Sequence, residues 1–555
     1  MLAAWWVVNI LQGAFMELAD DEAYYWAWAN HDGGLDWGYY DHPPMVAVLI
    51  WLSSWMGGSL GVRFATLLLQ PLYLWLLWTM IRPSSPTFRH ALVYAALCFA
   101  LPALQLYGIL SLPDAPLLMF SVLFIWSYRR MLRCSSVGNA LLMGLSMALL
   151  AYSKYHGALV VAFALLANMR LLRKWQTYLA VAVTLVLITP HLLWLWQHDW
   201  MTLSYHLGER HHGFSLENPL MFVVNLLLFF NPLLVPVYWK SLVGVRGAKD
   251  SHDDEGQTLE HEWRRALCFV AVGFVLFFFV ASLRGSTQAQ WLLPMAVSLV
   301  ALTFGYLDDN PRWQRYTLRV SAVTAALFIV ARIVIIVNPF GIKGELWDNQ
   351  ATYARIAQEA DGRPIVFSDY ATAGKYAFYA GGRCSCQSVF YSHRSQWELW
   401  QYDTAFLGQT VLFEVHDSYT TTDIPLANGR TFHYKVVVDF RPIRNVKIDF
   451  DENRLDIDGD TLRCQLELYN PYPYNIATGE HDSIHIRAFF RLEQRVQPSV
   501  IDDVAFVLLA GDTTTLDCAF EIPEKVRGHK CSMGFMLKNH QYYLPRQSKT
   551  IEMEF

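Results

Sequence analysis

Apolar and polar residues are segregated along this chain at the scale of whole segments. From Met1 to about residue 338, apolar runs recur near the ~20 residues that cross a ~30 Å hydrocarbon core, and after Asn338 no such run occurs. The runs predict transmembrane helices over 1–16, 62–81, 90–110, 115–128, 138–152, 157–169, 177–196, 219–239, 266–283, 291–306 and 320–337, eleven in all. The loops between them differ in charge. One alternate set carries sixteen Lys and Arg, from Arg82 and Arg89 to Arg312, Arg315 and Arg319, whereas the opposite set holds only Arg63, Lys154, Arg210 and Arg284. The richer set reads as cytoplasmic, and an odd number of crossings then puts the tail after 338 on the extracytoplasmic side. The first run begins at Met1 with no basic stretch and no small-residue cleavage site, so it is expected to stay as a span rather than be removed as a signal peptide.

In the 217 residues after 338 the periodicity changes. ATYARIAQEA, RPIVFSDY, GKYAFYAGG, CSCQSVFYS and TVLFEV alternate helical and strand patterns and predict a small α/β lobe over 339–430. From 431 to 555 the period is two: YKVVVDF, NVKIDFD, TLRCQLELY, SIHIRAFF, DVAFVLL, LDCAFEI and CSMGFML predict a β-sandwich of about seven strands. The expected architecture is a polytopic α-helical membrane domain over 1–338 followed by these two extracytoplasmic lobes.

Composition agrees with the split. Of the 555 residues 54% are hydrophobic and 16% charged, against ~25% charged in a soluble globular domain, which excludes an ordinary soluble enzyme. A net charge of −5 with no basic face excludes a nucleic-acid partner and leaves the lipid bilayer as the extended one. The mean hydropathy of +0.22 averages a very apolar part with a polar one. Of eight Cys, five lie after 338, at 384, 386, 464, 518 and 531. No CxxC occurs, so neither a zinc ribbon nor a thioredoxin motif is expected, while a disulfide among Cys464, Cys518 and Cys531 is one outcome in an oxidising compartment.

Ionisable groups at or within a membrane are costly, which makes their placement informative. The outer loop from Glu17 to Pro44 holds seven acids (Glu17, Asp20, Asp21, Glu22, Asp32, Asp36 and Asp41) and no Lys or Arg. Asp20-Asp21-Glu22 leaves the first span directly and could supply a general base, or could cap the next helix above an aromatic belt of Tyr24, Tyr25, Trp26 and Trp28. Asp41-His42-Pro43-Pro44 could contact a metal or a phosphate, or simply open a helix. Ser153-Lys154-Tyr155-His156 lies in a 32-residue hairpin over 138–169, so each arm is short and Lys154 sits at or below the membrane surface, either snorkelling or holding an anionic headgroup. Asp114 occupies another tight outer turn. The loop over 197–219 adds His198, His206, Arg210, His211 and His212; Arg210 suits phosphate recognition, and His206 or His211 could ligate a divalent metal.

Taken in order, DDEAYYWAW, YYDHPPMVA, GVRFATLLL, SLPDAPLLMF, YSKYHGALV and QWLLPMAV resemble bacterial membrane glycosyltransferases of the GT-C class, those related to protein O-mannosyltransferases and to the lipid A aminoarabinose transferase. The resemblance covers about residues 17 to 306 and implies a multi-pass protein of the bacterial inner membrane. Its expected activity is transfer of a sugar from a polyprenyl-phosphate donor to a protein, lipid A or other glycan acceptor on the extracytoplasmic face, with inversion at the anomeric carbon. It implies Asp21 as the base, with Glu22 and Asp20 beside it. Lys154, Arg210, His42, Asp114 and Tyr25 are then the donor-phosphate and substrate contacts. A divalent metal held by Asp41 with His206 or His211 is the cofactor alternative. Relatives often place an acidic residue and Lys before the paired prolines; here those positions are Asp41 and His42, which sets this chain apart from the aminoarabinose transferase itself. A polysaccharide polymerase or ligase would share a lipid-linked donor, and a transporter would also bury charges. The transporter reading lacks the internal repeats and paired broken helices that usually accompany it.

Overall fold

The computed structural model describes residues 1–204, 216–247, 255–387, 394–415, 421–478, 484–492, 495–499, 505–539, 542–543 and 547–555. The chain divides into two compact units, Met1–Trp347 and Asp348–Phe555.

The first unit is helical, and most predicted spans coincide with helices, including Leu2–Phe15, Gly58–Ile81, Asp114–Arg133, Val137–Ser153, Gly157–Ala167, Trp175–Gln197 and Pro311–Val337. Two predicted spans are broken. The run 90–110 stops as helix at Phe99 and restarts as Pro102–Leu106, because Pro102 offers no N–H to the preceding turn and instead begins a new helix. The run 219–239 breaks at Asn231, which adopts φ 64° ahead of Pro232, and the helices on either side meet at 81°. By length and composition, four helices among the described residues can cross a bilayer alone, or six if each of two bent pairs counts as one. Other apolar helices run 10–17 residues, and 17 residues reach only about 25 Å. Eleven full crossings are therefore more than helix length alone supports. The segment between the first two predicted spans, read as a loop, contains two helices, Asp20–Asn30 and Met45–Ser53. Neither is long enough to stand out as a span.

Polar side chains tie the bundle together where apolar packing gives little preference for one neighbour. Asn9 Nδ2 donates to Gln70 Oε1 at 2.5 Å and to Gly108 O at 3.3 Å, and Gln70 Nε2 donates to Leu104 O at 2.7 Å. A Cβ at Gly108 would lie 2.0 Å from Gln70 Nε2, so only glycine admits this approach.

In the second unit, Cys384–Cys386, Ile365–Phe367 and Val411–Glu414 form three parallel strands flanked by the helices Asn349–Ala360 and Tyr370–Ala380. Thr431–Val437 and Thr422–Pro425 extend the same sheet antiparallel, so the lobe boundary expected at 430 falls inside it and the first predicted sandwich strand belongs to the α/β sheet. The membrane-side boundary also moves from 338 to Trp347, whose Nε1 donates to Ile335 O at 2.9 Å. From Lys447 onward the strands are antiparallel. Thr461–Tyr469 pairs with Thr513–Glu521 and Lys447–Phe450, while His485–Leu492 pairs with Lys530–Asn539 and Arg495–Pro498. Alternate residues of Thr461–Tyr469 are buried, and Phe450 and Phe520 meet Phe535 of the other sheet with ring centroids 4.9 and 5.3 Å apart, as in a two-sheet core. Cys464 and Cys518 are register partners, but every cysteine in the structure is a free thiol, including Cys531, so the disulfide outcome is not the one adopted.

Candidate active site

The site is built on the junction between the first helix and the second. Leu2–Phe15 and Asp20–Asn30 meet at 84°. The bend is held by Arg63, which is fully buried near the start of the Gly58–Ile81 helix. Its guanidinium donates to Gly13 O at 3.0 Å, Met16 O at 2.6 Å and Glu17 O at 2.9 Å, carbonyls that the end of the first helix leaves without intrahelical partners. It also binds both oxygens of Glu22, through Nε to Oε1 at 2.7 Å and through Nη2 to Oε2. Glu22 Oε2 accepts from Ala19 N at 3.1 Å, and Oε1 accepts from Ser111 N at 2.9 Å. Four donors fill the roughly four lone-pair sites of an ionised carboxylate, leaving none for an acceptor proton or a metal. Glu22 is thus a structural anchor. Its placement in the catalytic set is corrected: it is 0% exposed and fully engaged.

The neighbouring acids differ. Asp21 is exposed and Asp20 half-buried, both in the first turn of the Asp20–Asn30 helix, where carboxylates favour the positive end of the helix dipole. The buried face of that helix carries Tyr24, Tyr25 and Trp28; Trp28 stacks on Tyr39 at 4.4 Å, and Tyr25 and His42 have ring centroids 6.1 Å apart. Tyr24 Oη donates to Asp41 Oδ2 at 2.7 Å, so Asp41 braces this aromatic layer. Burial lowers the His31 pKa despite Asp36 and Asp32, so the imidazole is neutral at pH 7 and does not offset the acids of its loop. The loop is pinned from outside: Thr202 Oγ1 donates to Tyr39 O at 3.1 Å, and His191 Nδ1 meets Trp37 O at 2.8 Å. At Gly38 a Cβ would lie 2.4 Å from the Trp194 ring, which makes glycine necessary there.

Ser111 carries the hub to the next group. Its Oγ donates to Val62 O at 2.8 Å and pairs with the Thr66 hydroxyl at 2.9 Å, and three residues on, Asp114 begins the Asp114–Arg133 helix. Both Asp114 oxygens accept from Lys154 Nζ at 2.9 Å, and both side chains are 5% exposed. Lys154 is therefore a buried, paired lysine at the turn between Val137–Ser153 and Gly157–Ala167, not a snorkelling one. Two of its three N–H groups serve Asp114, and the third has no partner among the described residues. The Tyr107 phenol is within electrostatic reach of both Asp114 and Asp21, which brings the two acids to the same end of the bundle. A cavity of about 360 Å³ opens beside Lys154, walled by Tyr155, His156, Leu159, Phe278, Thr287 and Trp291.

The structure thus brings together Asp20, Asp21, Asp114 and Lys154 around one end of the bundle, with Tyr25, Asp41 and His42 in the adjoining layer. Arg210, His206 and His211 lie outside the described residues. Among the described residues no three His, Cys, Asp or Glu side chains are placed to hold a metal. Sequence reasoning missed Arg63 and Ser111 as the site's supports. An arginine near the start of an apolar run was the available signal for the first; the second acts through its backbone N–H and hydroxyl and left none.

By comparison with known proteins, the chain has the fold of GT-C membrane glycosyltransferases and a sequence similarity to sugar transferases. The family model for dolichyl-phosphate-mannose-protein mannosyltransferases matches residues 41–194. The lipid A galacturonosyltransferase RgtD of Rhizobium johnstonii is 27% identical over 347 residues, which is 59% of this chain and 69% of that protein. In fold the chain is similar to ArnT from Cupriavidus metallidurans at 14% identity. The TM-score is 0.56 for the apo crystal structure, covering 78% of this chain and 96% of ArnT, and 0.57 for the form bound to undecaprenyl phosphate, covering 78% and 97%.

Proposed function

We propose that this protein transfers a single sugar from a polyprenyl-phosphate donor to a hydroxyl of a lipid A or other envelope glycan on the extracytoplasmic face, with Asp21 as general base. The observation that carries the reading is the contrast between adjacent acids. Glu22 is saturated, whereas Asp21 stays exposed at the same junction, near Tyr107 and the Asp114–Lys154 pair. In the reaction the acceptor hydroxyl gives its proton to Asp21 as its oxygen bonds to the anomeric carbon. The bond from that carbon to the phosphate oxygen breaks, and polyprenyl phosphate departs as a stable anion that needs no strong acid. The donor class is supported by the similarity in fold to a protein crystallised with undecaprenyl phosphate, and the acceptor class by the similarity to a lipid A galacturonosyltransferase. In-line attack from the side opposite the phosphate makes the reaction inverting. The extracytoplasmic placement of this end, and of residues 348–555, rests on the charge asymmetry of the loops.

Lys154 is assigned to the leaving phosphate through its remaining N–H, with Asp114 fixing the ammonium. Lys154→Met is expected to raise the apparent KM for a polyprenyl-phosphate sugar at least about tenfold, the scale of one charge-assisted hydrogen bond, while the acceptor KM changes less than about twofold. Initial rates of the purified full chain, with each substrate varied in turn, measure both. An unchanged donor KM removes Lys154 from the phosphate site.

A further inference from the structure

The opposite end of the same helices holds a second cavity that the transfer chemistry does not use. Arg129 follows Asp114 on one helix by fifteen residues, about 22 Å, and Arg82 follows the Gly58–Ile81 helix that starts beside Arg63. The two cavities therefore face opposite sides of the bundle. The second has a volume of about 290 Å³ and is lined by Arg82, Arg129 and Arg264 with Glu260 and Asp309, a net charge of +1 at pH 7. Apolar wall is supplied by Leu267, Leu302 and Trp263.

The three arginines are held differently. Arg129 lies 4.3 Å over the Trp263 ring and donates from Nη2 to Glu260 Oε2 at 2.7 Å, so its position is fixed. Arg264 uses only Nε on Glu260, at 3.2 Å, and its two Nη groups have no hydrogen-bond partner among the described residues. Arg82 makes no ion pair with any described residue. Glycines keep the space open. The nearest atom to a Cβ at Gly305 would be Arg264 Nη2 at 3.7 Å, and at Gly244 it would be a Tyr306 ring carbon at 3.8 Å. Two guanidinium forks with donors that have no partner among the described residues, at the end of a membrane-spanning helix bundle, form a receptor for the phosphate ester of a lipid.

We propose that this cavity binds the phosphate of an anionic phospholipid in the leaflet opposite the transfer site, with Arg82 and Arg264 as the phosphate contacts and Arg129 as the fixed positive wall. A soluble phosphate would present the same chemistry, and the position of the cavity at the end of a membrane-spanning bundle favours the lipid. The test is native mass spectrometry of the delipidated full-length protein titrated with phosphatidylglycerol, with diacylglycerol as the phosphate-free lipid and with inorganic phosphate. One phosphatidylglycerol is expected to bind with at least about tenfold preference over diacylglycerol. Gly305→Leu, which fills the cavity without changing charge, and the double variant Arg82→Gln/Arg264→Gln should each weaken that binding by about tenfold or more. Thermal unfolding without lipid checks that both variants fold. Displacement of the lipid by millimolar inorganic phosphate supports the phosphate contact. Binding of phosphate with no lipid preference overturns the lipid assignment, and lipid binding unaffected by either variant overturns the site.

Discussion

Asp21→Asn is expected to lower sugar transfer by about 10²–10⁴-fold, the usual contribution of a positioned general base, with donor affinity and thermal unfolding close to those of the parent protein. The substitution keeps size and hydrogen bonding but removes the site for the acceptor proton. Asp21 is exposed at the junction, and the supports of its helix belong to other residues, so the fold should tolerate the change. The comparison with its neighbours gives the result its meaning. Asp20→Asn should keep most activity, whereas Glu22→Gln should reduce the amount of folded protein. Rates in detergent with a defined donor, alongside unfolding temperatures, separate the three. Near-parental turnover by Asp21→Asn together with loss in Asp20→Asn would move the base by one residue.

Arg63→Ala is expected to destabilise the membrane unit by ~3–5 kcal/mol, the cost of stripping one partner from a buried ion pair. The loss goes beyond Glu22. The carbonyls of Gly13, Met16 and Glu17 also lose their donor, and Ser111 N would then bind a carboxylate held by nothing else but Ala19 N. For that reason the double change Arg63→Met with Glu22→Leu, which removes both charges, should recover only part of the stability. Thermal unfolding of the detergent-solubilised single and double variants measures this. An unfolding temperature unchanged in Arg63→Ala would show that the junction does not depend on the hub.

The arrangement explains how two acids from distant segments share one end of a bundle. Glu22 joins the second helix to the Gly58–Ile81 helix through Arg63 and to the Ser111 turn through a backbone N–H. Asp21 precedes that carboxylate by one residue and Asp114 follows Ser111 by three. Asp21 and the Asp114 that pairs with Lys154 are thus positioned relative to each other by a single buried carboxylate.

Much of the fold was legible because apolar run length and strand period are local properties. Gly58–Ile81 and Trp175–Gln197 follow from their runs alone. What was not legible depends on a single residue or on a distant partner. Pro102 and Asn231-Pro232 divide runs whose hydropathy is continuous. Thr431–Val437 has the alternation of a sandwich strand, and only its pairing with Val411–Glu414 assigns it to the other sheet. At the site, the acidic junction and Lys154 were found from the cost of charge at a membrane, but their division of labour was not. Glu22 and Asp21 are chemically alike in sequence; the difference is made by Arg63, forty-one residues away. The seven acids, which read as an unpartnered cluster, prove to be partly committed, Glu22 to Arg63 and Asp41 to Tyr24.

The central claim is transfer of one sugar from a polyprenyl-phosphate donor to an envelope glycan. Its most direct test is to incubate the purified full-length protein with a defined polyprenyl-phosphate sugar and a lipid A-containing acceptor extract, then to weigh both products by mass spectrometry. Free polyprenyl phosphate and an acceptor heavier by one sugar residue, in equal amounts and absent with Asp21→Asn, are the expected result. An intact donor, or transfer of a whole oligosaccharide from a polyprenyl-pyrophosphate carrier instead, would contradict the account.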